Sequence, residues 1–130
     1  MNVLVDTSVW IDYLERQNAL VEVKMDDLLL RGEVVSTGLV LAELRHGCRI
    51  RDQLGLMLEA MEPLPFLETT RHDWLRAGEI AAESASRGRR LEIGDCLLAA
   101  IALREGCLIF TLDRDFEHIP GVKLCRVRPS

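Results

Sequence analysis

Short apolar runs recur along the chain, separated by stretches whose apolar residues return every three or four positions. Val3–Val5, Val34–Ser36, Cys107–Thr111 and Leu124–Val127 are the runs, and each predicts a short buried strand. From Thr7 onward, Trp10, Tyr13 and Leu14 fall on one face while Asp12, Glu15 and Arg16 fall on the other, the signature of an amphipathic helix. A second helix is predicted over Leu20 to Leu30, stopping at Gly32. The apolar stretch Leu39–Leu44 ends near Gly47, and a further helix lies between Ile50 and Met61. Pro63 and Pro65 break that pattern, so Leu64–Leu67 reads as an edge strand.

Thr70 to Ser86 predicts another helix. Thr70 and Asp73 have the spacing of a capping box, Glu83 and Arg87 can pair one turn apart, and Gly88 ends the element. Asp95 then opens a helix with eight consecutive apolar residues, Cys96 to Leu103, and Gly106 stands where a C-cap belongs. Apolar on every side, this helix must be buried. The segment TLDRDF that follows the Cys107–Thr111 run reads as a loop or short helix. Short strands alternating with helices predict an α/β domain with a parallel sheet covered on both faces, spanning 1–130 as one domain.

Composition narrows the function classes. The 130 residues are 48% hydrophobic and 28% charged, enough apolar material for a full core. No apolar run approaches the roughly 20 residues of a membrane span. The start, MNVLVD, lacks the basic region of a secretory signal, so the cytoplasm is the expected compartment. Cys48, Cys96, Cys107 and Cys125 form no CxxC pair, and His46, His72 and His118 are dispersed, which excludes a structural zinc site and a disulfide framework. No GxGxxG follows Val5, and no basic recognition helix is apparent. The net charge of −5 argues against general attraction to nucleic acid. Two basic groups, Arg45–His46–Arg49–Arg51 and Arg87–Arg89–Arg90, are solvated helix ends or a local phosphate-binding surface.

In a parallel sheet, ligands bind beyond the carboxyl ends of the strands. Asp6 follows the first run directly and Asp113 follows Thr111 and Leu112, so both carboxylates project from one edge of the sheet. Glu43, within LVLAEL, shares a helical face with Leu39, Val40 and Gly47, and Asp95 opens the most apolar helix. Each alone has an ordinary explanation: a helix cap at Asp6 and Asp95, a solvated residue at Glu43, a polar turn at Asp113 and Asp115. Together they repel and demand a cation. Oxygen-only ligands suit Mg²⁺ or Mn²⁺, which take up phosphate oxygens and activate water against a phosphodiester.

The order VDTSVWID, VLAEL, GDCLLAA and TLDRDF resembles the PIN domain family, and within it the VapC-type toxins of type II toxin–antitoxin pairs. The resemblance covers essentially the whole chain. It implies a PIN-like three-layer sandwich, with a parallel sheet of four or five strands flanked by helices. It also implies an endoribonuclease that depends on Mg²⁺ or Mn²⁺ and cuts cellular RNA at an acidic quartet of Asp6, Glu43, Asp95 and Asp113. Asp6, Asp95, Asp113 and Asp115 are its implied metal ligands, with Asp113 and Asp115 competing for the fourth acidic position. Ser8 and Thr111 occupy positions that support the metal site through hydrogen bonds, although both hydroxyls also suit local caps. The further implications are a homodimer and a VapB-type antitoxin that enters the active-site groove, where an Arg or Lys would compete with the metal. Arg45 and Arg49 are candidates for holding the RNA backbone. A non-catalytic PIN-like binding module is the alternative, distinguished by its indifference to Asp6→Asn. An aspartyl-intermediate phosphatase is disfavoured, since Thr7 and Ser8 follow Asp6 where a second carboxylate would be needed.

Overall fold

The computed structural model describes residues 1–47 and 51–127. Among them β1 (Val3–Val5), α1 (Thr7–Glu15), α2 (Ala19–Leu30), β2 (Val34–Thr37), α3 (Gly38–Gly47) and α4 (Arg51–Met61) form the first half. β3 (Phe66–Leu67), α5 (Arg71–Ser86), α6 (Ile93–Glu105), β4 (Leu108–Phe110), a 3₁₀ turn (Arg114–His118) and β5 (Leu124–Cys125) complete it. The five strands make one parallel sheet in the order β3-β2-β1-β4-β5, flanked by the helices. The chain therefore winds outward from β1 in both directions, and the order reverses between β1 and β4. That reversal leaves a crevice at the carboxyl ends of those two strands. Among the described residues no helix is long and apolar enough to cross a membrane.

The central strands are wholly buried because helices cover both their faces: every residue of β1 and β2 is inaccessible, including Ser36 and Thr37. Cys96 to Ala102 of α6 are likewise all buried, as an all-apolar helix requires, and Leu103 is half-buried. Gly106 ends that helix in the left-handed region, its N–H donating to the Ala102 carbonyl. Cys96, Cys107 and Cys125 are buried free thiols whose pKa values burial pushes up, so they pack rather than react. Cys48 lies outside the described residues.

Boundaries differ from the sequence expectations in a few places, each for a local reason. α2 begins at Ala19, one residue before the predicted Leu20, because Asn18 caps it by accepting from the Leu20 N–H. α6 begins at Ile93, so Asp95 sits inside its first turn instead of opening it. Glu92 holds the cap position without a capping side-chain bond. Of the predicted edge strand only Phe66–Leu67 pairs, with Ser36 and Thr37. The outer strands shorten to Leu108–Phe110 and Leu124–Cys125. The capping box of α5 is present, with Thr70 and Asp73 bonded reciprocally. Arg87 has become the C-cap of α5, and among the described residues it makes no ion pair with Glu83.

Asp73 does more than cap. Only 1% exposed, it accepts from Arg104 Nε at 2.9 Å and from Arg104 Nη2 at 2.9 Å, a bidentate pair that ties α5 to α6. Arg104 Nη2 also donates to the Glu68 carbonyl at 2.9 Å. Burial works to raise the Asp73 pKa, but the bonds from Arg104 and Thr70 outweigh it and hold the carboxyl below the usual range. Removing the guanidinium alone strands a buried carboxylate. Arg104→Met should therefore cost about 2–3 kcal/mol in urea unfolding, whereas the double change Asp73→Asn with Arg104→Met should recover part of that loss. A single-variant cost within about 0.5 kcal/mol of zero would show that the pair contributes little.

Candidate active site

The crevice between β1 and β4 is built from four places in the chain. Asp6 stands one residue past β1, where its N–H still donates to the Phe110 carbonyl at 2.8 Å, so the sheet ladder itself fixes its position. It is the N-cap of α1: Oδ1 accepts from the Thr7 N–H at 2.8 Å. Its other oxygen, Oδ2, accepts from the Ser8 hydroxyl at 2.9 Å and from the Thr111 hydroxyl at 2.8 Å. The helix cap and the candidate site residue are thus the same residue, and 6% exposure leaves it nearly enclosed.

Ser8 and Thr111 are relays. The Leu112 N–H donates to Ser8 Oγ at 3.2 Å, and the Asp113 N–H donates to Thr111 Oγ1 at 3.0 Å. Both hydroxyls donate hydrogen bonds to Asp6, so the loop after β4 is pinned to the end of β1. Asp113 in turn caps the 3₁₀ turn by accepting from the Asp115 N–H at 2.9 Å, which brings the two competing carboxylates together on one short turn.

Glu43 arrives from α3, which starts directly after β2 and is steadied there by the Val40 N–H donating to Thr37 Oγ1 at 3.5 Å. The Thr7 hydroxyl donates to Glu43 Oε1 at 2.9 Å and so couples α1 to α3. Sequence reasoning assigned Thr7 no role; a hydroxyl directly after a strand-ending Asp was the available signal. Burial raises the Glu43 pKa, the Thr7 bond works against that, and the Asp6 charge adds to it.

Asp95 is where the charges meet. Its pKa is pushed up to about 7, by burial first and then by the negative charges of Asp6, Asp113, Glu43 and Asp115. Four acids thus act on one group. One carboxylate oxygen from each of Asp95, Asp113 and Asp115 lies within 4.8 Å of the others. Oxygens around a divalent ion at about 2.0–2.6 Å from its centre have that separation. Among the described residues no ion pair reaches any of the five acids. The donor set therefore fits a hard divalent metal. Asp113 and Asp115 both belong to the trio; Asp6 stands beside it, its Oδ2 already accepting two hydroxyls.

Arg45 is exposed on the last turn of α3, two residues from Glu43 and thus on a different helix face. Arg49 lies outside the described residues.

Comparison with known proteins agrees with this geometry. The model of the PIN domain family matches residues 3–122. Ribonuclease VapC5 of Mycobacterium tuberculosis is 34% identical over 116 residues, covering 80% of this chain and 84% of that protein. Ribonuclease VapC11 of the same species is 29% identical over 125 residues, 92% of each chain. Among solved structures, VapBC2 from Rickettsia felis bound to a promoter DNA fragment superposes with a TM-score of 0.81 at 20% identity, covering 96% of this chain and 98% of that one. VapBC-5 of M. tuberculosis gives a TM-score of 0.68 at 26% identity, covering 98% and 100%.

The elevated Asp95 pKa sets a pH dependence. Unfolded, the carboxyl titrates near 3.9; folded, near 7. Its contribution to stability is present at low pH and is lost as pH rises through about 7, because the folded state holds the proton more tightly. In chelator, wild-type stability relative to Asp95→Asn should fall between pH 5 and pH 8 by about 1–2 kcal/mol, well short of the full linkage because solvent reaches the group. Urea titrations at both pH values check this, and parallel pH profiles for the two proteins would refute it.

Proposed function

The chain belongs to the PIN domain family, and from that premise we propose that it is a metal-dependent ribonuclease, the toxin of a toxin–antitoxin pair. The observation that carries the reading is the convergence of four further acids on Asp95, with no ion pair to any of the five among the described residues. The relatives named as VapC ribonucleases and the VapBC complexes that share the fold point the same way. They support RNA as substrate and a VapB-type antitoxin as partner, and a homodimer accords with the family.

Asp95, Asp113 and Asp115 are the residues that would hold the ion, with Mg²⁺ or Mn²⁺ suited to an all-oxygen set. Bound there, it would supply Lewis-acid neutralisation of phosphate charge and a water more acidic than bulk. The chain's own work is orientation. Asp6, immobilised by Thr7, Ser8 and Thr111, keeps a fixed negative charge beside the trio. Glu43, held by Thr7 and with its pKa raised, is placed to accept a proton from a water at the edge of the cluster. Ser8 and Thr111 are positioning residues: they act through Asp6 and through the backbone of the Asp113 turn.

Cleavage of total cellular RNA by purified, partner-free protein tests the reading, with Mg²⁺, Mn²⁺ or chelator. Discrete products should appear with either ion, vanish in chelator, and be lost in Asp6→Asn and Asp95→Asn. Thr111→Val, which keeps the shape but removes the relay, should cost about 10–100-fold. Folded, partner-free protein that cuts nothing with either ion would favour a binding module. The same preparations give a second readout: saturating Mn²⁺ at about 100 times its Kd should stabilise wild type by roughly 2.7 kcal/mol, and Asp95→Asn much less. Equal stabilisation of both would place the ion elsewhere.

A further inference from the structure

Beside the acidic cluster, beyond the carboxyl ends of β4 and β5, lies a solvent-open cavity of about 380 Å³. Thr111 and Asp113 belong to its wall as well as to the cluster, so the cavity adjoins the cluster. Leu20 and Leu112, respectively 39% and 46% exposed, stand on its lining. Water reaches both leucines although the core is close by, and Leu112 sits in the loop between Thr111 and Asp113. The same wall carries Arg114 and Arg126. Arg126 is 57% exposed and its Nη1 lies 3.0 Å from Glu117 Oε1, a surface pair that contributes little to stability and is readily exchanged. A chain with five acids in its cleft thus places two guanidiniums next to that cleft, in a pocket that also offers apolar surface.

We infer that this cavity seats an unpaired nucleotide of the RNA, adjacent to the phosphodiester held at the acidic cluster. The volume is within the range of small-molecule sites, roughly 300–1,000 Å³. Leucine side chains give a base an apolar face to lie on, as unstacked bases of single-stranded RNA require. Arg126 and Arg114 supply positive charge for the flanking phosphates, which the cluster itself repels without its ion. Glu117 competes with RNA for Arg126, so the pair acts as a gate on affinity. The inference rests on the ribonuclease reading and names where that reaction would meet its substrate.

Binding is read directly, by fluorescence anisotropy of a labelled, randomised single-stranded RNA hexamer with Mg²⁺ present, in an Asp6→Asn background, which should not cleave but keeps the Asp95, Asp113 and Asp115 carboxylates. Arg126→Ala should weaken binding about 3–10-fold, in line with the loss of one phosphate contact. Glu117→Gln, which releases Arg126, should tighten it about 2–3-fold. Val127→Trp, which fills the cavity from its wall, should weaken binding while the melting temperature stays within about 2 °C of the parent. The opposite signs for the two partners separate RNA binding from a structural role, since breaking a structural pair from either side moves affinity the same way. Binding within twofold of the parent for all three variants, or same-sign shifts for Arg126→Ala and Glu117→Gln, would overturn the inference. Unchanged RNA affinity with weakened antitoxin affinity would also overturn it and give the cavity to the protein partner. Wild-type protein that cleaves RNA while the variants bind normally sinks the cavity alone; wild-type protein that cleaves nothing sinks the ribonuclease reading.

Discussion

Everything in the crevice hangs on the Asp6 carboxylate. It accepts three hydrogen bonds, one from the first turn of its own helix and two from hydroxyls that are themselves bonded to the loop after β4. Placed on the last rung between β1 and β4, it converts a sheet edge into a fixed point. A carboxylate bonded in this way is accommodated in a nearly enclosed position, because each donor offsets part of the desolvation that burial imposes. That fixed charge is then felt by Asp95 and by Glu43, both of which it pushes toward the protonated form.

The repulsion is tolerated because the acids are anchored by different elements. β1, α3, α6 and the turn after β4 each deliver one or two carboxylates, and each element is secured elsewhere: α6 by its buried length and by Arg104 on Asp73, α3 by its start at the buried end of β2. No single helix carries enough like charge to unwind. The stress is concentrated on Asp95, which lacks a hydrogen-bond donor among the described side chains and whose pKa is pushed up to about 7. Arg104 and Asp73 show the contrasting arrangement, in which a buried carboxylate is met by a guanidinium and becomes a strut. Among the described residues the acidic crevice has no such partner, and that difference separates a structural charge from one available to a ligand.

Much of this was legible in the sequence. The strand runs at Val3–Val5 and Val34, the all-apolar stretch from Cys96, the capping box at Thr70 and the glycine stop at Gly106 are local signals, set by propensity and spacing. So is the placement of Asp6 and Asp113 past strand ends, once a parallel sheet is inferred. What escaped depends on contacts between distant segments. Thr7 reaches Glu43 across 36 positions, and Arg104 reaches Asp73 across 31, distances over which no periodicity operates. The start of α6 was misplaced by two residues because Asp95 looks like a cap, whereas its carboxylate is engaged with the other acids. The closeness of Asp113 and Asp115 also depends on the turn: the Asp115 N–H bonds the Asp113 carboxylate, and one oxygen of each lies within 4.8 Å of an Asp95 oxygen.

An acidic protein acting on a polyanion is a contradiction only if charge is averaged over the surface. With the trio bare, the crevice repels phosphate. With a divalent ion held there, the local sign is reversed at the one point where a phosphodiester must approach, while Asp6 and Glu43 remain to orient what lies beside it. The same unmet charge is open to a guanidinium or ammonium brought by a protein partner, which would neutralise the cluster without supplying any chemistry. Ion, RNA and inhibitor are therefore linked through a single electrostatic requirement. A chain that had met this requirement internally, by placing an arginine among the acids, would have been the more stable protein and would have had nothing left with which to bind.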